Sequence, residues 1–137
     1  MTVTVDINVL LDVFQKREPH YAASAQIVNL IVDGTLSGVC PAHALTTLYY
    51  LVRKHASKPE AEVAMDRVLS HFQIGNLDLG GWQKARQLPF ADFEDAVVAT
   101  VAEASGSTFI ITRNVSDFAA STVTAIAPAD FLSQLAP

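Results

Sequence analysis

The chain has 137 residues, half of them hydrophobic, and carries a net charge of −5, which suits one compact domain and argues against a broadly basic, nucleic-acid-coating surface. A single cysteine, Cys40, excludes an intrachain disulfide and any paired-cysteine zinc site, so a bound metal would have to be held by oxygen. Asp6 breaks the apolar amino terminus, and no apolar run approaches the roughly 18 residues of a membrane span; no signal peptide or membrane segment is expected, and the protein reads as soluble and cytoplasmic.

From the amino terminus, residues 3–5 are rich in β-branched side chains and predict a strand ending at Asp6. Val9, Leu10, Val13 and Phe14 then recur at helical spacing over 8–16, until Arg17, Glu18 and Pro19 interrupt. A second helix over 20–32 closes at Asp33-Gly34, and 36–40 predicts the second strand. Pro41 suits the first turn of a helix running to about 55, with Leu45, Leu48, Tyr49 and Val52 along one face. Ser57 and Glu60 have capping-box spacing for a helix that 61–72 carries forward, and 72–77 predicts a third strand.

Gly80-Gly81 loosens the start of a helix expected near 82–88, which Pro89 ends. Asp92 opens another through about 104. Strands follow over 108–112 and 123–126, and 128–135 predicts a closing helix. Strands alternating with helices in this way call for a mainly parallel sheet with helices on both faces, since parallel neighbours need crossovers. The class is α/β, a three-layer α/β/α sandwich; with no repeat or linker in sight, 1–137 is expected to be a single domain.

The candidate chemistry lies in carboxylates. Asp6 follows the first strand directly, where open α/β sheets build their sites, although aspartate is also an ordinary helix N-cap. Asp92 and Asp95 share one face at the amino end of a helix, where the helix dipole favours acids in any case. Asp117 follows the strand over 108–112 in the segment TRNVSDF, where turn chemistry offers an alternative for Asn114 and Asp117. Convergence of Asp6, Asp95 and Asp117 on strand ends of one sheet favours a site. Clustered carboxylates repel one another unless a cation offsets them, and an all-oxygen donor set suits Mg²⁺ or Mn²⁺ rather than zinc. Such an ion beside a phosphodiester points to hydrolysis. Arg113 could contact a phosphate, although pairing with a nearby acid is the commoner use. His20, His43, His55 and His71 show no ligand spacing; His43, one helical turn before Thr47, is the least ordinary of them.

The segments VDINVLLDVF, ALTTLYYLVRK, DFEDAVVATVAE, FIITRNVSDF and APADFL, in this order, resemble the PIN-domain family over nearly the whole chain, and within it the VapC toxins of bacterial toxin–antitoxin pairs. The resemblance implies an endoribonuclease dependent on Mg²⁺ or Mn²⁺, with Asp6, Asp95 and Asp117 as its catalytic acids and Asp92 as an auxiliary metal ligand. It also implies an RNA substrate, a cognate antitoxin and a homodimer; Arg113, Asn114 and Thr47 are the candidate contacts to that substrate. The chain departs from the family pattern at Thr47, where many members have an acid, and at Asn114, where many have aspartate. Those departures raise the alternative of a catalytically weakened PIN domain that binds RNA or protein.

Overall fold

In a computed structural model that describes residues 1–135, Thr2–Val5 forms strand β1 and is followed by α1 (Ile7–Phe14), α2 (Tyr21–Val32), β2 (Ser37–Pro41) and α3 (Ala44–His55). The chain continues through α4 (Lys58–His71), β3 (Gln73–Gly75), α5 (Leu79–Gln87) and α6 (Phe93–Ala104). It ends with β4 (Phe109–Ile111), a 3-10 turn (Val115–Phe118), β5 (Thr124–Ile126) and α7 (Pro128–Leu135). The five strands form one sheet in the order β3-β2-β1-β4-β5, and every adjacent pair is parallel.

Strand side chains alternate between faces, and the alternation distributes them into two cores. Val3, Val5, Cys40 and Ile111 join a cluster with Val9 and Leu10 of α1, Ile27 of α2, Leu48 of α3, Val68 of α4 and Phe131 of α7. Val39 and Ile110, of opposite parity, face the other layer, where α5 and α6 contribute Ala85, Val97, Val98 and Val101. The result is the expected three-layer α/β/α sandwich. Phe131, fully buried, closes the first core edge-to-face against Phe109, with ring centroids 5.7 Å apart. No helix among the described residues is long and apolar enough to cross a membrane.

Three boundaries differ from the sequence expectation for local reasons. Pro41 does not start α3; it ends β2, paired in register with Gly75, where a strand terminus tolerates the missing N–H. Helix α1 stops at Phe14, because Lys16 adopts a left-handed φ of 51°. Helix α5 starts at Leu79, ahead of the glycine pair, since the Asp78 carboxylate caps it by accepting the Gly81 N–H at 2.8 Å. The Ser57 cap of α4 is present, with the hydroxyl accepting from the Glu60 N–H at 3.2 Å.

Gly75 lets the sheet and α6 approach closely. A Cβ there would collide with Val101 Cγ1 and lie 3.0 Å from Val39 Cγ1, both on stiff β-branched side chains. Gly75→Ala is therefore expected to destabilise the fold by about 1–3 kcal/mol, as overpacking does. Urea denaturation checks this; an unchanged midpoint would mean that α6 can yield without loss.

Candidate active site

The strand order reverses direction at β1, with β2 on one side and β4 on the other, and it is outside the carboxyl ends of strands at such a switch point that open α/β sheets form their crevice. A crossover helix runs back against its strands, which brings the amino end of α6 to the same edge as Asp6 and the segment after β4. The topology thus delivers residues from three distant parts of the sequence to one place.

Asp6 is 5% exposed and is held at both carboxylate oxygens. The Ile7 N–H donates to Oδ1 at 2.8 Å, making Asp6 the N-cap of α1 as well as a crevice residue. On the other oxygen, the Thr112 hydroxyl donates to Oδ2 at 2.8 Å, and Asn8 Nδ2 lies 3.4 Å away. Burial pushes the Asp6 carboxyl above its ordinary range, more than the bonds from Thr112 and Ile7 pull it down; the charge of Glu94 adds to the rise, and His43 opposes it.

Asp95 is half-buried at the start of α6, and its carboxyl is pushed up to about 6. Burial is the largest cause, followed by the charges of Asp92, Asp6, Asp117 and Glu94. Carboxylates from the end of β1, the start of α6 and the turn after β4 therefore act on one another across the crevice. Asp92 has a second duty, since it N-caps α6 by accepting the Asp95 N–H at 3.1 Å. Asp117 is exposed in the 3-10 turn, with Asn114 exposed just before it.

Two residues enter that sequence reasoning had not placed in the site. Glu94 was visible only as part of an acidic first turn; its charge reaches Asp6, Asp95 and His43, so its side of α6 addresses the crevice. His43, just before α3, is pushed below its ordinary range by burial while Glu94 and Asp6 pull it upward, and its Nε2 is buried without a hydrogen-bond partner. Spacing one turn before Thr47 was the only signal for it. Thr47 is exposed on α3 and brings no charge. Arg113 is largely taken up elsewhere: its Nε donates to the fully buried Asp12 at 2.8 Å.

The donor chemistry, all carboxylate oxygen apart from His43, fits a hard divalent cation. Among the described residues, however, no group of three or more His, Cys, Asp and Glu side chains is gathered closely enough to hold an ion. Mg²⁺ is commonly bound through one or two carboxylates, with water and substrate phosphate completing its shell, so a donor set of this kind suits an open site better than a closed cage.

The raised carboxyls fix a pH dependence. Asp95 titrates near 6 in the fold against an ordinary 3.8, so between these values the folded state holds more protons than the unfolded one. Its contribution to stability is therefore lost as pH rises from about 4 through about 6. In EDTA, Asp95→Asn is expected to raise the melting temperature relative to wild type at pH 7.5, with the difference shrinking by pH 4.5. A difference independent of pH would mean that neither burial nor its neighbours' charge raises the Asp95 carboxyl.

The PIN domain family model PIN_3 matches residues 2–116. Ribonuclease VapC1 of Aquifex aeolicus (strain VF5) is 25% identical over 117 residues, 82% of this chain and 81% of that protein. The structure of VapBC2 from Rickettsia felis, bound to a DNA fragment from their promoter, is similar with a TM-score of 0.73 at 16% identity, covering 93% of this chain and 98% of the other. Mycobacterium tuberculosis VapC20, a Sarcin-Ricin loop cleaving toxin, is similar with a TM-score of 0.72 at 14% identity, covering 92% and 99%. With its five-stranded parallel sheet, its crevice acids and a family match spanning most of its length, the chain belongs to the PIN-domain family.

Proposed function

We propose that this chain is an endoribonuclease that hydrolyses RNA phosphodiester bonds with Mg²⁺ or Mn²⁺ at the crevice of Asp6, Asp95 and Asp117, and that it is the toxin of a toxin–antitoxin pair. The observation that carries the reading is the gathering of acids at the switch point of the sheet, where burial first and then the charges of Asp92, Asp6, Asp117 and Glu94 raise Asp95 to about 6: such a grouping bears a cost that a cation would relieve. The family relationship directs the choice of RNA, and relatives from toxin–antitoxin pairs direct the choice of partner. A homodimer belongs to the same reading.

When bound, a divalent cation would supply neutralisation of the scissile phosphate and an activated water. Asp6 and Asp95 are the residues to hold it, Asp6 because its carboxylate is already fixed by Ile7 and Thr112. Asp117 approaches from the turn after β4, and Asp92 contributes charge while capping α6. Glu94 adds a further negative charge beside Asp6 and Asp95. Thr47 and Asn114, both exposed, are suited to polar contacts with RNA, whereas Arg113 is drawn away from that role by Asp12.

Specific observations favour a second reading, a PIN domain that binds RNA or protein without cutting. Thr47 is uncharged, Asp92 is engaged as a cap, and no three potential ligands lie close together among the described residues. Expression without an antitoxin in a bacterial host separates the two. The nuclease toxin arrests growth, and Asp95→Asn at the same soluble level restores it. Growth arrest that persists in Asp95→Asn supports the binding module, and unimpeded growth with the wild type contradicts the toxin reading.

A further inference from the structure

Asp12 is a carboxylate with 0% exposure in α1, outside the crevice. A charge buried this completely is costly unless paired, and neighbouring positions of α1 show that apolar residues pack well on this helix: Val9, Leu10 and Leu11 are all buried. Asp12 Oδ2 accepts from Arg113 Nε at 2.8 Å and from the Ser24 hydroxyl at 3.2 Å, while Oδ1 has no partner. The charge is thus spent chiefly on Arg113, 101 residues away in sequence.

Arg113 lies within a short segment that α1 grips at successive points. The Thr112 hydroxyl donates to Asp6 and accepts the Asn114 N–H at 3.0 Å, and the Arg113 N–H donates to Asn8 Oδ1 at 3.4 Å. Beyond it, the Asp117 N–H donates to the Asn114 carbonyl at 3.0 Å, and Phe118 is buried. Asp117 therefore sits exposed between two anchors. Apart from Thr112, the near anchor consists of the long Asn8 contact and the short, charge-assisted Asp12 bond.

We propose that Asp12 is a positioning residue, which through Arg113 straps the segment carrying Asn114 and Asp117 to α1 and so fixes where Asp117 stands. Its effect on the loop follows from the hydrogen-bond geometry alone; its effect on rate rests on the nuclease reading. Asp12 touches no substrate, and loss of a partner that orients a site acid is worth 10–100-fold in activity.

The test compares wild type with Asp12→Asn, which keeps the shape and removes the charge, and with Arg113→Lys, which keeps a cation for Asp12 but loses the fixed guanidinium geometry. Amide hydrogen exchange of metal-free protein is expected to quicken at least tenfold over residues 113–118 in both variants, with α6 and β1 unchanged. With RNA and Mn²⁺, kcat is expected to fall about 10–100-fold while KM stays within twofold. Unchanged exchange over 113–118 overturns the strap. So does a loss of activity accounted for by the unfolded fraction alone. If wild type cuts no RNA, the nuclease reading fails while the exchange experiment still decides the strap.

Discussion

Asp6→Asn is expected to reduce metal-dependent RNA cleavage by about a hundredfold or more while leaving the fold at least as stable as wild type. The two halves of this result come from different parts of one side chain. Charge stabilisation by a held metal is worth several kcal/mol at the transition state, and each 1.36 kcal/mol lost is about a factor of ten in rate. Asn removes the charge, yet its amide oxygen can still take the Ile7 N–H or the Thr112 hydroxyl. It also relieves a buried, like-charged position whose pKa is already raised. Cleavage rates and melting temperatures measured on the same preparations check it. An Asp6→Asn protein that is inactive only because it is unfolded would mean that Asp6 serves α1 as a cap and the reaction not at all.

Arg113→Ala should cost about 3–5 kcal/mol of stability, because it leaves Asp12 buried, charged and without its cation. Asp12→Ala should cost less. The Arg113 side chain is 27% exposed and can turn its guanidinium to water, whereas Asp12 at 0% has nowhere to go. The double variant is expected to lose less than the sum of the single losses, since removing both partners strands neither. Urea denaturation of the three variants measures this. Strict additivity would show that the pair contributes little and that the exposed end of Arg113 is free for other contacts.

Much of the architecture was legible because it depends on local pattern. The β-branched run before Asp6, the apolar spacing of Leu48 and Val52, and the Ser57 cap each act over a few residues and survive into the structure. What the sequence hid depends on tertiary placement or on a contest between local signals. Pro41 fits a helix start and a strand end equally well, and only pairing with Gly75 decides. Gly80 and Gly81 mask a helix start that Asp78 enforces. The Asp12–Arg113 pair joins residues on either side of the sheet's central crossover, and Glu94 gains its place only when α6 is laid beside β1. In the candidate site, Asp6, Asp95 and Asp117 could be singled out as acids near strand ends and a helix start. That their charges would meet, and that Arg113 would turn inward to Asp12, required the fold.

The most direct measurement is cleavage of structured and unstructured RNAs by purified, antitoxin-free protein in Mn²⁺, followed by EDTA and then by Mn²⁺ restored in excess. The account predicts discrete cuts that stop with EDTA, resume with Mn²⁺ and are absent in Asp6→Asn. Folded wild-type protein that retains RNA intact through all three stages would contradict the nuclease and leave the binding module in its place.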